Sequence, residues 1–127
     1  MQEDVPTVMA HQPPFAIRDR VFEFVSAVVR AYPRAREMDD AGRQVWRQLW
    51  NAVSSAGAHL EEAQGAGTRR HFTALVRGAQ REMREGHYWM RLLTANRLAG
   101  HERIELLIGE ANELVAILTA ISRKASR

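Results

Sequence analysis

The sequence contains no cysteine, which excludes disulfide bonds, thiolate metal sites and cysteine nucleophiles. It also has no apolar run near the roughly 20 residues that span a bilayer, and no stretch in which apolar and polar residues alternate with period two. The residues at the start include acids and lack an apolar core, unlike a secretory signal. We therefore expect neither strands nor a membrane helix, and a cytoplasmic location.

Lysine is nearly as scarce, because Lys124 is the single lysine among 18 basic residues. The net charge is only +3, yet the isoelectric point is about 10.2. Arginine contacts phosphate and carboxylate groups bidentately and stacks on flat rings. A GC-rich genome would also favour arginine everywhere, so a functional interpretation depends on how the arginines cluster.

The sequence does contain helical periodicity over most of its 127 residues, a length sufficient for one domain with its own core. Residues 1–14 are predicted to form a flexible N-terminal lead, and residues 15–125 a four-helix bundle domain. The predicted helices cover residues 15–32, 40–64, 68–96 and 101–124. Helices joined by short connections favour an antiparallel, up-down-up-down bundle, so the predicted fold is all-α.

The first three predicted helices differ in their apolar patterns. In the third, the steps between apolar positions alternate between four and three, as in a helix that packs along another. The first helix has two apolar stripes, and the second stripe contains Phe22, Val25, Val29 and Tyr32. Two stripes exceed what a monomeric bundle needs, so this helix is either central or shared with another subunit. In the second helix, small residues around Gly57 predict a close approach to a neighbour.

Arginine recurs at every seventh position of the third helix, beside its apolar seam. The arginine row consists of Arg70, Arg77, Arg84 and Arg91, with Arg69 and Arg81 nearby. Cations about 10 Å apart along a helix suit a phosphate backbone. These six arginines are therefore the predicted nucleic-acid-binding residues. The alternative is a solvated face, on which they pair with Glu82, Glu85 or acids of other helices.

A second polar group is predicted between the second and third helices. His59 and Glu62 are three residues apart, as are Glu82 and Glu85, so each pair shares a helix face. Carboxylates and Glu-x-x-His pairs on facing helices build di-metal sites, but no further such pair is directed at a seam. We interpret the four residues as an interior polar network, with a metal-binding bundle as an alternative. No metal ligand and no cofactor is predicted.

Aromatic residues cluster at His87, Tyr88 and Trp89. Trp89 lies beside the seam and is expected in the core or an interface, whereas Tyr88 points to another face, where stacking on a base is the alternative to ordinary packing. Trp50 lies off the main seam of its helix, which indicates a subunit contact. No nucleophile–base–orienter set, P-loop or glycine-rich dinucleotide motif occurs, so no enzyme is predicted.

Residues 48–64 (QLWNAVSSAGAHLEEAQ) and 81–93 (REMREGHYWMRLL) resemble the four-helix bundle proteins of the 23S rRNA intervening-sequence family. The resemblance extends over about residues 15–125 and implies an all-α bundle that assembles as a ring-like homopentamer. The family is also similar to the accessory variability protein of diversity-generating retroelements, which binds nucleic acid and a reverse transcriptase. The partners it implies are therefore further copies of the chain, RNA or DNA, and a reverse transcriptase or other nucleic-acid-processing protein.

The chain departs from the family pattern at three positions. The family's asparagine is His59, its usual arginine in the second helix is Asn51, and its threonine is Gly86. Loss of that arginine removes one cation from the surface that the resemblance implies, and His59 adds pH sensitivity near neutrality.

Composition, periodicity and resemblance together predict a non-enzymatic, homo-oligomeric helical bundle, pentameric by resemblance, whose basic surface binds nucleic acid or a nucleic-acid-processing partner. The alternative is a purely structural or protein-interaction oligomer whose arginines serve subunit contacts. A metal-binding bundle ranks third.

Overall fold

The computed structural model describes residues 13–127, which form helices joined by short connections. In chain order the α-helices are α1 (Pro13–Ala31), α2 (Asp40–Ala63), α3 (Arg69–Ala95), the short α4 (His101–Glu105) and α5 (Ile108–Ala125). A 3-10 turn, Ala35–Glu37, lies between α1 and α2. No strand occurs in residues 13–127, so the predicted all-α class is confirmed for them. The predicted lead lies outside the described residues, except for its last two, which already belong to α1.

Side-chain caps fix the starts of α2 and α3. Asp39 Oδ1 accepts a hydrogen bond from the Gly42 N–H at 2.8 Å, and Thr68 Oγ1 accepts one from the His71 N–H at 3.0 Å. Each cap satisfies a backbone donor that has no partner within the helix, and such caps are typically worth about 1 kcal/mol. The predicted starts of the second and third helices are thus correct.

The prediction of one continuous fourth helix is wrong, because the chain turns between α4 and α5. The Leu107 N–H donates to the Ile104 carbonyl, three residues back, at 2.8 Å. This is the spacing of a 3-10 turn, whereas an α-helical bond would reach four residues back. Arg103 donates to the Ala31 carbonyl at 3.0 and 3.2 Å. This contact ties α4 to the C-terminal end of α1.

The core lies between the four long helices. The first apolar stripe of α1, which consists of Ile17, Val21, Phe24 and Val28, is buried there, together with the seam of α3 and the middle of α5. Trp46 on α2 is fully buried, and its Nε1 donates to the Ala99 carbonyl at 2.8 Å. Gly100 follows with φ +85°, and a Cβ there would lie 2.9 Å from Trp46 Cζ2. Glycine is therefore required at the turn that leads into α4.

Of Gly57 and Gly86, only Gly86 lies where a neighbouring helix leaves no space for a side chain. A Cβ at Gly57 would make ordinary contact with Val25 of α1, at 3.8 Å. A Cβ at Gly86 would lie 2.7 Å from Val53 Cγ1 on α2, which is closer than such carbons approach. A threonine, which the family resembled by the sequence has here, would find no space at this position.

The long helices contact one another in a closed order. α2 packs along α3, α3 along α5, and α1 contacts both α2 and α5. Across residues 13–127, no helix is long and apolar enough to cross a membrane.

Candidate nucleic-acid interface

One face of α3 is buried and the opposite face is cationic. Val76, Ala79, Met83 and Met90 are buried in the core, as the four-and-three spacing predicts. The residues beside them project outward, and all six predicted arginines are exposed: Arg69, Arg70, Arg77, Arg81, Arg84 and Arg91. Helical periodicity alone thus separates the apolar seam from the arginine row.

Within residues 13–127, none of these six arginines forms an ion pair with an acidic side chain. The ion pairs found there involve Arg18, Arg20, Arg43 and His101. Glu85 instead accepts a hydrogen bond from Trp89 Nε1 at 3.0 Å, and Glu82 accepts one from Ser55 Oγ at 3.3 Å. The sequence alternative, in which Glu82 and Glu85 pair with these arginines, is not what the structure shows.

Tyr88 lies on the same face of α3 as the arginine row. It follows Arg84 by four residues and precedes Arg91 by three, and these spacings place side chains next to one another on a helix. Its side chain is half exposed. The ring meets Trp89 edge-to-face, with centroids 5.0 Å apart, and Trp89 packs against the core. Tyr88 is thus a supported aromatic surface between two cations.

A groove at the N-terminal end of α3 brings distant arginines together. We call it the end groove; its volume is about 630 Å³, and it is lined by Arg69, Arg70, Thr73, Ala74, Arg77, Ala125, Ser126 and Arg127. Arg69 Nη1 donates to a main-chain oxygen of Arg127, the last residue of the sequence, at 2.6 Å. Sequence reasoning identified three of these arginines but missed Arg127 and Thr73, because only the pairing of α3 with α5 places them together.

The predicted interior polar network is smaller than expected. His59 and Glu82 are half-buried, and Ser55 lies between them, 3.4 Å from His59 Nδ1 and 3.3 Å from Glu82 Oε2. Glu62 and Glu85 are exposed and do not belong to this group. The three-residue spacing placed each pair on one face, but these two carboxylates lie at the solvent edge of that face.

Ser55, His59 and Glu82 do not form a nucleophilic site. His59 Nδ1 lies 2.8 Å from the Ser55 carbonyl oxygen, which can only accept, so Nδ1 bears the proton. A protonated Nδ1 cannot act as the base for the Ser55 hydroxyl, which donates to Glu82 instead. The imidazole ring also fills the space beside Gly78, where a Cβ would lie 3.1 Å from it. We interpret the group as a link between α2 and α3.

Two further features bear on the chemistry of the site. Burial, with a contribution from the Arg91 charge, lowers the pKa of His87 below its ordinary value of 6.5, so this residue adds little positive charge at neutral pH. Within residues 13–127, no group of three or more histidine and acidic side chains could hold a metal ion.

An apolar surface lies on α1 and α2. The apolar strip consists of Phe22, Val29, Tyr32 and Trp50, which are 67%, 45%, 45% and 38% exposed. Three of its members line one shallow depression of about 310 Å³. Phe22 lines a second one, of about 200 Å³, beside Gly57 and Ala58. The second stripe of α1 is therefore largely on the surface rather than in the core.

The described residues define a helical protein with one cationic helix face and one exposed apolar strip. No protein-family model and no curated protein matches the chain. Among solved structures, it is similar to the crystal structure of a protein of unknown function from the S23 ribosomal protein family from Bacteroides thetaiotaomicron. The TM-score is 0.76 at 23% identity, over 88% of this chain and 99% of that one. At this identity the similarity shows the fold alone.

Proposed function

We propose that the protein is a non-enzymatic, homo-oligomeric helical bundle whose arginine row binds nucleic acid. The main supporting observation is that the six arginines on α3 are exposed and form no ion pair with an acidic side chain of the described residues. Clustered charge of one sign attracts a polyanion and concentrates it near the surface. The proposed location is cytoplasmic, and a nucleic-acid-processing protein is a further partner implied by the family resemblance.

The length of the row matches a polymer better than a small anion. From Arg70 to Arg91 it extends roughly 30 Å along α3, a distance over which a strand presents several phosphates. Tyr88 supplies a flat ring between Arg84 and Arg91. Aromatic side chains among cations are typical of sites for unpaired strands, because each stacked base contributes about 1–3 kcal/mol. Single-stranded RNA or DNA is therefore the favoured ligand.

A double charge reversal, Arg77→Glu with Arg84→Glu, tests this function. We expect the affinity for a short single-stranded RNA to fall at least about tenfold at low salt, and the salt dependence to become shallower, because fewer counterions are released. Fluorescence anisotropy over a series of salt concentrations measures both.

The matched control is Arg36→Glu with Arg47→Glu, which changes the net charge equally at two exposed positions outside α3. This variant should retain most of the affinity. An equal loss in both variants would show that net charge, not the arginine row, determines binding. Wild-type affinity that does not respond to salt would refute phosphate recognition.

We also propose that the four long helices run alternately up and down. The contacts of α1 with α4 and α5 support this. Ala31 meets Arg103 of α4, whereas Arg20 meets Glu113 of α5, so later positions of α1 pair with earlier positions of the segment that follows Gly100. The same reversed order relates α2 to α3, since His59 contacts Gly78 and Val53 contacts Gly86.

A second copy of the chain is the proposed partner of the apolar strip, and a pentamer is the assembly that the family resemblance implies. Exposed aromatic and aliphatic side chains in one patch are typical of subunit interfaces. The strip also favours the alternative function, a purely structural oligomer that binds no nucleic acid. The RNA-binding measurement above separates the two.

A further inference from the structure

We propose that the end groove is a site for a phosphate monoester, such as the terminal phosphate of a nucleic-acid strand. Four arginines from two separate parts of the chain surround it: Arg69, Arg70 and Arg77 from α3, and Arg127 beyond α5. Arg69 is engaged by a main-chain oxygen of Arg127. The other guanidinium groups have no acidic partner among residues 13–127, so they are the proposed phosphate contacts. The assignment of this phosphate to the end of a nucleic-acid strand rests on the proposed function.

The local backbone reinforces the positive charge. α3 begins at Arg69, and its first turn contains no acidic residue. Partial positive charge accumulates at a helix N-terminus, where acids rather than arginines are normally favourable. The C-terminal end of α5 lies alongside and offers partial negative charge, but its last turn contains Arg123 and Lys124. The backbone at the start of α3 therefore adds to the attraction that the arginines exert on an anion.

Thr73 provides an independent indication. It lines the end groove and is 6% exposed, and its hydroxyl oxygen has no hydrogen-bond partner within residues 13–127. Buried hydroxyl groups are nearly always hydrogen-bonded in folded proteins. The hydroxyl oxygen is covered in this structure, so a phosphate oxygen would accept its proton after the Thr73 side chain turns towards the end groove, and this bond would satisfy the orphaned group.

The groove's chemistry favours a monoester over an internal phosphodiester. A monoester carries nearly two negative charges and presents three strong acceptor oxygens. A phosphodiester carries one charge and two free oxygens. Several guanidinium groups together with a hydroxyl can therefore be satisfied more fully by a terminal phosphate. The volume of about 630 Å³ leaves room for the attached sugar.

The experiment compares a single-stranded RNA that ends in a phosphate with the same strand ending in a hydroxyl. Wild-type protein should bind the phosphate-ended strand about tenfold more tightly, as expected for additional charge-assisted hydrogen bonds. Arg70→Gln with Arg127→Gln, and separately Thr73→Val, should reduce this ratio towards one. The Thr73→Val variant removes only an unsatisfied hydroxyl, so its melting temperature should not fall.

The matched control is Arg84→Gln with Arg91→Gln, outside the end groove. It should weaken both strands equally and preserve the ratio between them. A second measurement, the melting temperature with inorganic phosphate against chloride at equal ionic strength, detects a site for free phosphate. Stabilisation that disappears in the Arg70→Gln, Arg127→Gln variant supports the same chemistry with a small-molecule source.

The outcomes distinguish the site from the proposed function. If the two strands bind with equal affinity and inorganic phosphate does not stabilise the protein, the proposed site is overturned, whereas nucleic-acid binding is not. Stabilisation by phosphate without any strand binding supports the site and overturns the proposed function. A tenfold ratio that persists in the Arg70→Gln, Arg127→Gln variant places terminal-phosphate recognition elsewhere and overturns the assignment.

Discussion

Arg20 links α1 to α5 through two carboxylates. Its Nε and Nη2 donate to the two oxygens of Glu110 at 2.8 and 2.9 Å, and Nη2 also contacts Glu113. The hydrogen bonds from Arg20 lower the pKa of Glu110 from its ordinary value of 4.5. Because this pKa is lower in the folded state, the contribution to stability is present above pH 4.5. It is lost as the pH falls through the lowered value.

Replacing Arg20 with glutamine should therefore destabilise the protein in a pH-dependent way. We expect the free energy of unfolding to fall by about 0.5–1 kcal/mol at neutral pH, since the pair is partly exposed and screened by solvent. The difference from wild type should shrink in acid, where Glu110 becomes protonated. Urea unfolding at neutral and acidic pH measures it, with Arg36→Gln as the control. An equal loss at both pH values would contradict the assignment to the ion pair.

Residue-scale partners were the least predictable feature of the sequence. The seven-residue spacing predicted which arginines share a face, because that depends on α3 alone. The contact of Arg20 with Glu110, and of Ser55 with Glu82, depends on how two helices are rotated about each other. No local pattern encodes that rotation. For the same reason Thr73 gave no signal, since its orphaned hydroxyl is visible only after α5 is placed.

At the scale of elements, the close packing of α2 against α3 depends on glycine at position 86, which has no side chain. The carbon nearest to a Cβ at Gly86 would be Val53 Cγ1, at 2.7 Å, and Ala52 and Leu49 lie just beyond it. Residues deep in two packed helices cannot move far to admit a methyl group. Glycine at this position thus sets how closely the two helices pack.

We expect Gly86→Ala to lower the free energy of unfolding by about 1–2 kcal/mol, because overpacking outweighs the better helix propensity of alanine. Gly109→Ala is the control, since nothing lies within 4 Å of a Cβ there. It should raise stability by up to about 1 kcal/mol. Thermal unfolding of both variants measures the opposite signs. Stabilisation by both would show that the close approach at Gly86 is absent.

The sequence predicted the elements better than their interruptions. The three long helices that precede Gly100 begin and end within a few residues of their predicted bounds, since periodicity and N-caps define them. The turn between α4 and α5 was missed. The backbone bond from Leu107 to Ile104 forms this turn, but Ile104, Leu107 and Ala111 keep helical spacing across it. The apolar pattern therefore does not indicate the interruption.

At the scale of the whole molecule, the apolar strip is the feature least expected of a monomer, because its side chains would stay exposed to water. Phe22 and Val29 lie one heptad apart on the same face of α1, and their side chains are 67% and 45% exposed. Burying such side chains contributes roughly 1.5–3 kcal/mol each. Association through this surface is therefore expected for the wild-type protein.

The double variant Phe22→Ser, Val29→Ser should convert the assembly into a monomer of 14.4 kDa, measured by light scattering at micromolar concentration. Circular dichroism should show unchanged helix content, because both side chains lie outside the core. Leu106→Ser, at an 84% exposed position outside the strip, should leave the assembly unchanged. A wild-type protein that is already monomeric would refute the proposal.

The absence of lysine from α3 has a regulatory consequence for its cationic face. Guanidinium groups remain charged at any physiological pH. Acetylation, which neutralises lysines, has no target in the arginine row, and methylation of arginine leaves its charge in place. Neither acidity nor acylation can therefore turn this surface off. Its occupancy would respond instead to the concentration of competing polyanions and to the salt of the surrounding medium.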